Sequence, residues 1–128
     1  MPPRLSKSKY TAGLQCHRLL WWKTHEPRAP ELTPGASLQA LFDMGNRVGE
    51  RARQEFPGAT LIDLDYRRPH HAVEATRQAI DEGATVILEA SFFEDNIFVA
   101  VDVLSKEPEG WVVTEVKATK SVKAQHYA

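Results

Sequence analysis

Residues 85–117 read TVILEASFF, EDN, IFVAVDVL, SKEPEG and WVVTEVK. The first, third and fifth pieces are dominated by Val, Ile, Phe, Trp and Thr, side chains that suit a pleated, half-buried surface. The second holds Asp95-Asn96 and the fourth Pro108 and Gly110, which is turn chemistry. Three strands therefore follow one another at 85–93, 97–104 and 111–117. Their connections are too short for crossovers, so neighbours run antiparallel. The segment is expected to form an antiparallel three-strand meander.

Upstream of residue 85 the period changes from extended to helical. A first helix is expected from about Lys9 to Lys23, capped by Ser6 or Ser8, with Tyr10, Leu14 and Trp21 on one face. Residues 24–34, with Pro27, Pro30 and Pro34, read as a connector. A second helix is expected from about Ser37 to Gln54. Leu38, Leu41, Phe42, Gly45, Val48, Gly49 and Ala52 line one face of it. Gly45 and Gly49 each cost a helix about 1 kcal/mol relative to Ala, so a close approach on that face is expected. Pro57-Gly58 is a turn, 59–64 a short strand and 67–71 a polar loop. A third helix is expected at about His71–Glu82, with Gly83 at its C-terminal cap. Helices followed by a meander predict an α/β fold, a mixed sheet flanked by helices.

The chain of 128 residues suits one domain spanning 1–128, and 42% hydrophobic residues can supply one core. A formal net charge of −1 excludes a basic nucleic-acid coat as a whole-chain role, while leaving room for a local basic patch. The single cysteine, Cys16, excludes an internal disulfide and any four-cysteine zinc or iron–sulfur site built from this chain alone. No apolar run reaches the roughly 18 residues of a membrane span, and the polar N-terminus lacks a signal-peptide core. The expectation is a cytoplasmic protein without a membrane partner. Residues 123–128 read as the opening of a helix, so the expectation is also that the chain is the N-terminal portion of a longer protein.

Two acids interrupt apolar strands, Asp102 and Glu115. A lone carboxylate is costly there and calls for a partner or a metal. Positions 102 and 115 are equidistant from the loop around Pro108-Glu109. A symmetric hairpin sets them side by side, with Cα atoms about 4.5–5.5 Å apart. Two carboxylates that close repel, and a hard cation such as Mg²⁺ or Mn²⁺ relieves the repulsion. Lys117 shares a strand face with Glu115 and brings an ammonium to the same place. Glu89 and Asp102 are likewise equidistant from Asp95-Asn96. A two-residue turn puts Glu89 beside Asp102, and a slip of one residue puts it on the other face. Lys120 and Lys123 read either as phosphate contacts or as a solvated helix start. His70-His71 reads as an exposed loop, since no third ligand lies near for zinc. Trp21-Trp22 reads as helix packing.

The pattern Asp102…Glu115-x-Lys117 on consecutive strands resembles the D…E-x-K core of the PD-(D/E)XK nuclease superfamily. It is most similar to the RecB-like branch, which includes CRISPR-associated exonucleases. Tyr10-x-x-x-Leu14-x-Cys16-x-x-Leu19 resembles the N-terminal helix of those proteins, and Gly45 to Arg51 their first core helix. The resemblance covers nearly the whole chain. It implies a restriction-endonuclease-like core in which Asp102, Glu115 and the Val116 carbonyl hold Mg²⁺ or Mn²⁺, with Glu89 a further candidate ligand. Lys117 would be the catalytic ammonium, and Lys120, Lys123 and Gln125 would lie on the substrate side. The implied partner is nucleic acid, DNA in the first instance, and the implied reaction is phosphodiester hydrolysis.

Three departures stand beside it. The family often carries a metal-binding His on the first core helix, and this chain has Gly49 there. Its Q-x-x-x-Y motif would start at Gln125 and end beyond residue 128. Cys16 fills the first slot of the family's iron–sulfur site, with no further cysteine to join it. The alternative expectation is therefore a non-catalytic nucleic-acid-binding or assembly module on the same fold, and a third is a fragment that works only once a downstream helix or a second copy completes the sheet.

Overall fold

Asp95 and Asn96 both adopt positive φ, 47° and 63°, and reverse the chain in two residues. Such a turn matches the twist of an antiparallel pair, and Asn and Asp tolerate it better than other side chains. It joins β3 (Val86–Glu94) to β4 (Ile97–Glu107). A second tight connection at Pro108-Glu109 leads into β5 (Gly110–Thr114), where Gly110 takes a φ of 143°. The computed structural model describes residues 3–124 of this α/β protein.

The sheet is mixed and open. β3 pairs with β4 along its length, from Val86↔Ser105 to Glu94↔Ile97, and β5 pairs with the far half of β4, from Val103↔Thr114 to Glu107↔Gly110. Two short strands run parallel to this hairpin pair. β1 (Leu5–Ser6) lies against Ile97 and Phe98 of β4, and β2 (Thr60–Leu61) against Ile87 and Leu88 of β3. β1 and β5 therefore divide one edge of β4 between them. The expected meander is the centre of a mixed sheet, not its opening strands, because the chain contributes β1 and β2 before it. The ladder of β5 also stops at Thr114 rather than Lys117.

The expected first helix is two helices, α1 (Lys7–Gln15) and α2 (His17–His25), broken at an extended Cys16 (φ −163°, ψ 121°). The Ser6 hydroxyl accepts the Lys9 N–H and caps α1. The break folds α2 back so that Leu20 packs on Gly13. A Cβ at position 13 would come within 3.0 Å of Leu20 Cδ2, so glycine makes the contact fit. α3 (Ala36–Arg53) forms nearly as expected but buries none of its residues, and Leu41 and Phe42 are 61% and 51% exposed. Among the described residues, nothing comes within 4 Å of a Cβ built on Gly45 or Gly49. The close approach expected on that face is not made within residues 3–124.

α4 (Pro69–Asp81) starts two residues before the expected position, since Pro69 suits the first helical turn; His70 and His71 are helical. Its C-cap is Glu82, and Gly83 follows with a φ of 86°. Small residues, Ala72, Thr76 and Ala79, make its buried face. They let the helix sit close on β3. The core is Ile62, Ala72, Ala79, Ile87, Ala90, Val101 and Leu104. Thr76 joins helix to strand: its hydroxyl donates to the Ala72 carbonyl at 2.8 Å and accepts the buried Ser91 N–H at 2.9 Å. Among the described residues, no helix is long and apolar enough to cross a membrane.

Candidate active site

Ile87 and Ala90 both enter the core, and so do their partners Leu104 and Val101. A regular strand alternates faces every residue, so a spacing of three needs a local twist. Glu89 supplies it, with a φ of 58° in mid-strand. The register on either side of it sets Glu89 opposite Asp102. Left-handed backbone at a non-glycine residue costs about 1–2 kcal/mol, so the surrounding pairing must hold this kink in place. The Glu89 carboxylate turns to Arg53, at the end of α3, with Nη2 2.8 Å from Oε1.

Asp102 is half-buried, and its Oδ2 accepts the Val116 N–H at 2.7 Å. The β4–β5 ladder ends at Val103↔Thr114, one pair short of the 102 and 115 pairing that the symmetric-hairpin reading expects. At that level a side chain replaces the backbone ladder, and the chain leaves the sheet. Glu115 stands there between two ammonium groups. Lys7, the first residue of α1, donates to Oε1 at 2.7 Å and to Oε2 at 2.8 Å, and Lys117 lies 2.8 Å from Oε1.

The two carboxylates are driven apart in acidity. Burial raises the pKa of Asp102, and the nearby charges of Glu115 and Glu89 add to this. The Val116 N–H and Lys7 only partly offset the rise. Burial also acts to raise that of Glu115, but hydrogen bonds from Lys117 and Lys7 outweigh it and hold this acid below its usual range. Tyr66 belongs to the same neighbourhood. Its phenol is pushed up by burial and by the negative charges of Glu89 and Asp102.

Beside Glu115 lies an open cavity of about 850 Å³ between α1 and residues 115–123. Among the described residues, Lys7, Lys117, Lys120 and Lys123 line it, with the Tyr10 ring and the Glu115 carboxylate. The expected residues Asp102, Glu115, Val116 and Lys117 thus come together, with Lys120 and Lys123 along the same wall. Glu89 reaches the level of Asp102 but is engaged by Arg53. Gln125 lies outside the described residues.

Among the described residues, no three His, Cys, Asp or Glu side chains converge as a metal-ligand cluster. The donor set suits Mg²⁺ or Mn²⁺ only as an open site of two carboxylates. Such an ion keeps several waters and accepts few protein oxygens. The like charges that push Asp102 upward are what a cation at that point would relieve. Zinc, which wants four nitrogen or sulfur donors, does not suit it.

Sequence reasoning missed Lys7, Arg53 and Tyr66. Each comes from an element far along the chain, and no periodic pattern marks any of them. Only the Ser6-Lys7-Ser8 cap announced that α1 would begin at this point. A scan against protein-family models, a search of curated proteins and a search of solved structures each found no match for this chain.

Proposed function

We propose that this chain is a metal-dependent nuclease domain of the RecB-like PD-(D/E)XK type, hydrolysing phosphodiester bonds of DNA. The observation that carries the reading is the Asp102–Glu115 pair. The two acids lie just past the last ladder pair, are shifted in opposite directions in acidity, and Glu115 lines a lysine-rich cavity. Asp102 and Glu115 would hold Mg²⁺ or Mn²⁺, with the Val116 carbonyl as a further ligand. Glu89 remains the outer candidate if Arg53 releases it. A divalent ion supplies water activation and neutralises charge on a phosphate oxygen. Lys117 offers its ammonium to the charge that develops on the reacting phosphoryl group. Lys120 and Lys123 bind neighbouring phosphates and set the strand along the cavity, an interaction that weakens with salt.

The test is cleavage of plasmid and of end-labelled single- and double-stranded oligonucleotides with Mn²⁺, Mg²⁺ or EDTA. Cleavage that needs the metal and disappears in Asp102→Asn supports the reading. Metal-independent or Asp102-independent cleavage defeats it.

A second reading is a non-catalytic nucleic-acid-binding or assembly module. Two observations favour it: Gly49 stands where a helix ligand would be, and the apolar face of α3 is uncovered among the described residues. Salt-sensitive DNA binding with no Asp102-dependent uptake of Mn²⁺ is its signature.

A further inference from the structure

Lys7 holds Glu115 through both carboxylate oxygens, at 2.7 and 2.8 Å. That is the position in front of a carboxylate where a bidentate cation sits. Lys117 already satisfies Oε1 at 2.8 Å, so Glu115 carries two ammonium groups for one negative charge. Asp102, by contrast, accepts the Val116 N–H through Oδ2. Lys7 and Lys117 both place their charge on Glu115. Lys7 is joined to that acid across 108 positions of sequence, and its side chain is half exposed at the rim of the lysine-lined cavity.

We propose that Lys7 is a built-in competitor for the divalent ion: it occupies Glu115 when no metal is bound and must leave that carboxylate when the ion arrives. This inference rests on the metal-site reading above and adds a form of regulation to it. An oxygen bound to Mg²⁺ lies about 2.0–2.1 Å from the ion, and an ammonium bridging both oxygens blocks that approach. The exchange is inexpensive because the pair is half solvated, and exposed ion pairs contribute about 1 kcal/mol or less. Lys117 makes only one contact and can stay. The released Lys7 ammonium remains on the wall of the cavity, among the other lysines. The site is thus tuned to load only when divalent cation is abundant enough to displace an internal charge.

The experiment is calorimetric titration of the whole chain with Mn²⁺ at about 0.15 M salt, where distant charges are largely screened. Four proteins are compared: the unmodified chain, Lys7→Met, Lys7→Arg and Lys120→Met. Lys120→Met removes the same charge from the same cavity without touching Glu115. Lys7→Met is expected to bind Mn²⁺ about fivefold more tightly than the unmodified chain, the factor equivalent to about 1 kcal/mol. Lys120→Met should change affinity by less than half that factor. Lys7→Arg, which can grip a carboxylate with two parallel hydrogen bonds, should bind no more tightly than the unmodified chain. Circular dichroism of each variant confirms that α1 is retained. Equal affinities for Lys7→Met and Lys120→Met overturn the competitor role while leaving the metal site standing. No Mn²⁺ uptake by any of the four overturns the metal site, and the competitor with it.

Discussion

The Asp102 carboxylate holds the Val116 N–H at 2.7 Å, and at that bond the chain passes from the β5 ladder into the cavity wall. One side chain thus both ends a strand and fixes where Glu115 and Lys117 stand. The acid is strained electrostatically while it does so, since burial and two neighbouring carboxylates oppose its charge.

Asp102→Asn should separate these two duties. Asparagine keeps an oxygen for the Val116 N–H and removes the charge. Because the folded pKa of Asp102 is raised, its contribution to stability is full below the ordinary value of 3.8 and lost as pH rises through the folded value. At neutral pH the ionised acid is a cost. The metal-free variant should therefore melt at the same temperature as the unmodified protein or higher, while losing Mn²⁺ binding. Thermal unfolding and calorimetry read the two effects.

Glu115 has the opposite sign. Its folded pKa is depressed, so its contribution is present above the ordinary value of 4.5 and lost as pH falls through the folded value. Glu115→Gln should flatten the acid limb of the stability profile below about pH 4.5, where the unmodified protein loses stability. Urea unfolding at a series of pH values measures this. An unchanged limb would place the acid sensitivity elsewhere.

Lys117→Ala should abolish DNA cleavage and leave the fold intact. Its side chain is about half exposed, and its bond to Glu115 is backed by Lys7, so little packing is lost. A cleavage assay paired with circular dichroism decides it; cleavage at the unmodified rate would remove Lys117 from the chemistry.

At position 89 the backbone is the target. Glu89→Gly and Glu89→Ala both delete the carboxylate and the Arg53 pair, but only glycine relaxes a φ of 58°. The glycine variant should be more stable than the alanine variant by about 1 kcal/mol. Equal stabilities would mean that the kink stores no strain.

Thr76→Val should destabilise the protein by about 1–3 kcal/mol, because the Ser91 N–H is buried and would lose its acceptor. Thr76→Ser, which keeps the hydroxyl, should recover most of this. Denaturant unfolding compares the three.

The two hairpin registers were legible in the sequence as far as the ladders run. The symmetric reading about Asp95-Asn96, one of two left open for Glu89, agrees with the pairs Leu88↔Val103 and Ala90↔Val101, while the reading about Pro108-Glu109 agrees with the ladder as far as Val103↔Thr114. Turns and strand alternation are local, so residues a few positions apart determine them. The same locality explains α3 and the helix end before Gly83. What sequence could not show was which charges meet across long separations. Lys7 reaches Glu115 over 108 positions and Arg53 reaches Glu89 over 36, and neither pair leaves a period to read. The break at Cys16, the kink at Glu89 and the uncovered face of α3 belong with them. The sequence by itself determined the β3–β4 hairpin, its turn and the start of β5, because neighbouring residues carry that information. Only the tertiary structure decided which cations hold which acids, because ion pairing and packing depend on distance in space and not along the chain.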